Sequence, residues 1–305
     1  MPMSKYFFSL VIILSIFFGL LLPGVSVLWS DYLNFLLALL MFFSALRVER
    51  KEFRKVDAKG MLTLLSLVFI LMPLLSLPFK LSDPMTFVGV LFALSSPSAA
   101  ATAFFVSFLG GDIALGVVIS FVSSLLSLLT IPITVQALAG AVVQVDNSKI
   151  LSILIEVIII PIVAALLTRK FLRGAAEEIN KNRDCQLIVM FLLGWGIIGV
   201  SHAAILNNEL QLLELTTILL LILIFGGLVA YLFGRRYGNE TAITFFVATS
   251  IKNALLSFAI VLKLFGIAAA LPMAANLIAQ LALMVLLEVF GGRITALSRS
   301  SAGTR

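Results

Sequence analysis

Apolar residues fill this chain in long, nearly unbroken runs, and polar positions collect between them. A helix crossing the hydrocarbon core of a bilayer needs about 20 such residues in succession. A soluble helix shows an apolar stripe recurring every 3.6 residues instead. Ten runs of roughly helical length can be drawn, near 6–23, 31–46, 59–79, 84–108, 112–140, 149–171, 185–206, 210–233, 240–264 and 267–290. The linkers are short and leave no soluble domain. The first run imitates a signal peptide but has no A-x-A-like site before Pro23. It is expected to remain as the first span.

Composition agrees with the pattern. The chain is 61% hydrophobic and only 12% Asp, Glu, Lys and Arg, against about 25% charged residues in soluble proteins. A large soluble α/β protein with buried strands fails on both charge and run length. The expected fold is therefore all-α and polytopic, in a membrane.

The net charge of +6 is informative by location. Arg47, Arg50, Lys51, Arg54, Lys55 and Lys59 share one linker. Arg169, Lys170, Arg173, Lys181 and Arg183 share another, and Arg235 and Arg236 a third. With ten spans these fall on the same side as Lys5, Arg293, Arg299 and Arg305, and only Lys80, Lys149 and Lys263 fall opposite. Basic loops mark the cytoplasmic side, so both termini are expected there, in the plasma (inner) membrane. The basic balance then points to no nucleic acid.

A weak repeat divides the spans five and five, at 1–145 and 146–305. At an offset of 155, Ser95 meets Ser250, Ala99 meets Ala254, Gly111 meets Gly266 and Ala114 meets Ala269. Each copy runs through a polar interruption, a half-helix, a Gly turn and a small-residue helix. Five is odd, so the second copy must be inverted. Inverted repeats with interrupted helices in matching places mark secondary transporters.

The interruptions are where chemistry is expected. In SSPSAAATA, Pro97 lacks an N–H and breaks the helix, while Ser95, Ser96, Ser98 and Thr102 can satisfy freed backbone groups. A plain Ser/Pro kink would leave the same pattern. In ATSIKN, Ser250, Lys252 and Asn253 lie in the middle of a span. A charge at the bilayer centre costs roughly 2.5–3.5 kcal/mol on insertion scales, and the centre is too far from either surface for easy snorkelling. Candidate partners for Lys252 are Glu156, Asp112, Glu288 and freed carbonyls. His202 is a titratable group near the outer end of a span, and an interfacial histidine reads the same way. Ser120, Ser123, Ser124 and Ser127 line one helix face, and Asn276 and Gln280 stand four apart in the last span.

There is no HExxH, no Gly-rich phosphate loop and no paired carboxylates. With one cysteine and one histidine, no metal site, cofactor or enzymatic activity is expected. A channel or a receptor would share the composition, and saturable counterflow separates a carrier from either.

The segments SPSAAATAFFVSFLGGDIALGVVISFVSSLLSLLTIPIT and ATSIKNALLSFAIVL resemble the bile acid:sodium symporter family of secondary transporters, and the likeness extends over nearly the whole chain. The resemblance implies broken, crossing helices in spans four and nine. It implies a core domain (59–140 and 210–290) rocking against a panel domain (1–46 and 149–206), with sodium beside the crossing. The departures are specific. Where sodium-coupled members carry Glu, Gln and Asn, this chain has Ala248, Lys252 and Ala103; a helix-five hydroxyl is replaced by Gly116, while Thr102 and Ser120 keep theirs.

These readings together lead us to expect a secondary transporter of a small organic anion, bile-acid-like or a carboxylate or sulfonate, acting as a monomer or homodimer in the bilayer. Ser95, Ser96, Ser98, Thr102, Ser120, Ser250, Lys252, Asn253 and Gln280 are expected to form the site. Sodium coupling is expected to be weakened or lost, the Lys252 ammonium standing in for the ion, with proton coupling or uncoupled transport in its place. Sodium-coupled symport is the alternative. Arsenite-type efflux is a weaker one, because Cys185 is the only thiol and lies away from the interruptions.

Overall fold

The computed structural model describes residues 7–99, 101–144, 146–181 and 184–302. Lys5, Arg183 and Arg305, part of the orientation signal, lie outside them, as does Ala100. The principal elements are helices: α1 (Phe7–Leu21), α2 (Pro23–Leu46), α3 (Ala58–Leu81), α4 (Pro84–Ser95), α5 (Thr102–Leu109) and α6 (Ile113–Ala139). They continue as α7 (Asn147–Phe171), α8 (Asp184–Val200), α9 (Glu209–Tyr237), α10 (Asn239–Ser250), α11 (Ala254–Phe265) and α12 (Ala270–Ala302).

Among the described residues, six helices are long and apolar enough to cross a membrane: α2, α3, α6, α7, α9 and the Ala270–Phe290 part of α12. A seventh is reached if Arg173–Asn180 and α8 count as one bent span. Their outward faces carry Phe35, Leu62, Leu129, Ile133 and Leu221, all exposed, which suits lipid contact. The runs expected at 84–108 and 240–264 are each two helices. Pro97 stops one, and in the other Ile251 turns extended and Asn253 starts a new helix.

Short polar residues set the helix starts. Asp83 accepts from the N–H groups of Met85 and Thr86, Asp112 from Leu115 and Asp146 from Lys149, all at 3.0 Å. Each relieves backbone donors that a first helical turn leaves unpaired. Gly110, at φ 75°, closes α5 in the left-handed conformation that glycine adopts without strain.

Helices α1, α2, α7 and α8 pack together, as do α9, α10 and α12, while α12 also touches α4, α5 and α11. Small residues permit the closest seams. A Cβ at Gly19 would collide with Ile198, and one at Gly194 with Ser15. Two tryptophans clasp the start of α2 to α8. Trp29 Nε1 donates to Leu192 O at 3.0 Å and Trp195 Nε1 to Leu22 O at 3.3 Å, with the rings edge to face.

Candidate functional site

The two helix breaks meet. Asn253 N donates to Pro97 O at 2.8 Å and Ala99 N to Ile251 O at 3.0 Å, so Ser98 and Lys252 form an antiparallel bridge between the breaks. Irregular backbone at membrane depth must find partners inside the protein, and the hydroxyls supply them. Ser98 Oγ donates to Ala248 O at 2.7 Å, near the end of α10. Ser98 N donates to Ser123 Oγ at 3.2 Å, and the Ser120 hydroxyl is shared between Ala99 O and Gly116 O. Ser250 Oγ reaches Leu223 O on α9 at 2.9 Å. Asn253 then caps α11 by accepting from Leu256 N at 3.2 Å.

Lys252 is 1% exposed, and its Nζ donates to Val68 O on α3 at 3.1 Å. The sequence of α3 explains why that carbonyl is available. Residues Leu67–Leu71 form a π-turn, in which Met72 N–H turns back to Leu67 O. The next residue, Pro73, has no N–H to offer. Val68 O is thus left by its own helix, and the lysine fills the vacancy. Among the described residues, no carboxylate pairs with Lys252, and no cluster of three or more His, Cys, Asp or Glu could hold a metal ion.

The expected acidic partners are elsewhere. Glu156 lies in the π-turn of α7 and pairs with Lys263 of α11 at 3.1 Å, both half-exposed. His202 lines a separate open pocket with Asp31, beside the start of α2. Asp112 is the cap of α6, and Glu288 is buried on α12. The crossing turns Lys252 inward against α3, which separates it from both Glu156 and His202. Ala248 lies in an apolar cluster with Leu64, Val68, Leu115 and Ile119. The position where the family resemblance implies a carboxylate is packed as hydrophobic core.

A cavity of about 120 Å³ lies between α1, α2 and α8 on one side and the crossing, α5, α11 and α12 on the other. Lys252, Asn253 and Gln280 are in its wall; Ser95, Ser96, Ser98, Thr102 and Ser250 are not. Ser120 lines a second cavity, which shares Arg47, Phe104 and Gln186 with the first. Both reach the end of α2, where the basic linker begins. Sequence reasoning missed these three shared residues. In the sequence Arg47 reads as a loop cation, although its place just past the end of a span is a usable signal. Two expected hydroxyls, Ser95 Oγ and Thr102 Oγ1, are buried with no hydrogen-bond partner. Cys185 is exposed at the start of α8.

A Bacillus subtilis (strain 168) protein named as an uncharacterized sodium-dependent transporter, YocS, is 22% identical over 232 residues, 74% of this chain and 70% of that protein. An Oryza sativa subsp. japonica protein named as a probable sodium/metabolite cotransporter, BASS3, chloroplastic, is 24% identical over 198 residues. That match takes in 64% of this chain and 45% of the rice protein. The model of the sodium bile acid symporter family matches residues 34–207, more than half of the chain. On that match, the chain belongs to the sodium bile acid symporter family of membrane transporters.

Proposed function

We propose that this protein is a secondary active transporter that moves a small organic anion, bile-acid-like or a carboxylate or sulfonate, across the plasma membrane by alternating access. In this reading ten spans form two inverted five-span repeats with cytoplasmic termini. A core of 59–140 and 210–290 moves against a panel of 1–46 and 149–206. The cavity supports it, because it lies between those two groups of helices and has the N-terminal residues of α11, Ala254 and Leu255, in its wall. A helix N-terminus favours an anion through its free N–H groups and its dipole.

The observation that carries the reading of coupling is Lys252. A sodium ion in a membrane site takes oxygen ligands, commonly with an anionic one among them. Here the buried Lys252 amine of the crossing already holds a backbone oxygen of α3, Val68 O, and Ala248 offers no carboxylate. A covalently attached amine needs no gradient to bind. We therefore infer that sodium coupling is weak or absent, with protons or the anion's own gradient driving movement.

The names of both relatives favour a second reading, sodium-coupled symport. Uptake of labelled organic anions into proteoliposomes, with sodium exchanged for potassium or choline, separates the two. Saturable, counterflow-capable uptake that is insensitive to the exchange supports our reading. Steep sodium stimulation supports the alternative.

A further inference from the structure

Three cavities reach the end of α2, and Arg47 lines all of them. The first is the cavity at the crossing. The second, about 450 Å³, has Ser107, Ser120 and Phe121 in its wall. The third lies between the basic linker and the turn from α5 to α6, beside Lys51, Glu52 and Asp112. A residue in the walls of two cavities stands between them. Arg47, Phe104 and Gln186 hold that place between the first and the second. They come from both groups of helices, Phe104 from α5, Gln186 from α8 and Arg47 from the turn just after α2. A partition built this way changes whenever the two groups shift against each other.

The partition also has a sign. A basic residue that only marks one face of a membrane protein projects to water or headgroups, whereas Arg47 is half-buried between helices. A guanidinium keeps its charge at any working pH. The other ionisable side chains in the first two walls are Lys252 and Glu49. Lys252 Nζ is turned to Val68 O, and Glu49 is offset by Lys51 at 2.6 Å. The balance along both walls is positive, and Arg47 stands where they meet. A narrow path lined by one sign of charge concentrates ions of the other. We infer that Arg47, Phe104 and Gln186 form an inner gate between the crossing and the cytoplasm, with Phe104 as its obstruction and Arg47 as the residue that makes passage selective for anions. This rests on the reading of the first cavity as the substrate site and of the basic linker as cytoplasmic.

The test reads access to the far side of the gate and needs no substrate. In the full chain carrying Cys185→Ser, Leu281→Cys places a reporter thiol in the first cavity and Ser107→Cys places one in the second. Inside-out membrane vesicles are treated with an anionic and a cationic methanethiosulfonate, the sulfonatoethyl and trimethylammonioethyl reagents. Each rate is divided by that of a small free thiol. At Leu281→Cys the anionic reagent is expected to be favoured about fivefold or more, as a path at a potential of a few kT requires. Arg47→Gln should remove most of that preference and Arg47→Lys should keep it, a pattern that a packing role would not give. Phe104→Ala should speed both reagents severalfold at Leu281→Cys and leave Ser107→Cys unchanged. No charge preference with native Arg47, or a preference that survives Arg47→Gln, overturns the inference and leaves the anion reading to the uptake assay. So does an unchanged rate in Phe104→Ala, or no reaction at Leu281→Cys in any variant. A preference for the cationic reagent overturns the anion reading as well. The comparison with native Arg47 stands even if a variant does not fold.

Discussion

Lys252 Nζ donates to Val68 O at 3.1 Å, closing a gap that the π-turn and Pro73 open in α3. The lysine therefore ties the crossing of the two broken helices to a third helix. Removing it leaves a buried carbonyl unpaired, a loss of about 1–3 kcal/mol. Lys252→Met should lower the melting temperature by several degrees and abolish transport. Lys252→Gln, which keeps a donor, should recover part of the stability without restoring the charge. Thermal unfolding in detergent together with counterflow in liposomes checks both. Unchanged transport by Lys252→Met would remove the lysine from the mechanism.

Ser98 connects the breaks through its hydroxyl to Ala248 O as well as through the backbone. Ser98→Ala should destabilise by about 1–2 kcal/mol, because the carbonyl near the end of α10 loses its donor inside the protein. Ser96→Ala should cost less. Ser96 Oγ only returns to Phe92 O within α4, which is a carbonyl of its own helix. Comparing the two variants by chemical or thermal denaturation tests whether the inter-break contact is the stronger of the pair.

Glu156 and Lys263 join α7 to α11 at 3.1 Å, across the two groups of helices proposed to move against each other. Both are half-exposed, so the pair is worth about 0–1 kcal/mol in stability. Its effect should show in transport rather than in melting. Glu156→Lys and Lys263→Glu should each change the rate of exchange severalfold with little thermal shift, and the double swap should bring it back toward the wild type. Non-recovery in the swap would mean that the two residues act separately.

Gly227 on α9 lets Ser250 approach and reach Leu223 O. A Cβ there would fall on Ser250 Oγ. Gly227→Ala should cost about 1–3 kcal/mol through overpacking. Adding Ser250→Gly should recover only part of that loss, because the same Cβ would also press on the Phe246 ring. Melting temperatures of the single and double variants measure the coupling directly.

Much of this arrangement was legible in the residues. The apolar runs located the long helices, Pro97 located one break, and the match of Ser95 to Ser250 pointed to the other, where no proline stands. Lys252 declared itself by its cost in an apolar span. Its partner was less accessible. A carbonyl becomes free only through backbone geometry, and the π-turn in α3 has no side-chain signature beyond Pro73 downstream. The acidic residues drew attention because charge is visible in sequence, whereas Glu156 is turned by its own helix toward Lys263. The wall of the cavity was hidden for another reason. Phe104 and Gln186 come from two separate helices and Arg47 from the turn just after α2, and only tertiary packing brings them together.

The most direct test of the central claim is sodium binding, because it needs no knowledge of the substrate. Binding of radioactive sodium to the purified protein should be measured for the wild type, Lys252→Gln and the double variant Ala248→Glu with Lys252→Gln. The account predicts no saturable binding by the wild type, where the ammonium holds Val68 O and Ala248 is apolar. It predicts little or none in Lys252→Gln, and saturable binding in the double variant, which regains a carboxylate and loses the lysine. Saturable sodium binding by the wild type, at an affinity unaffected by Lys252→Gln, would contradict the account.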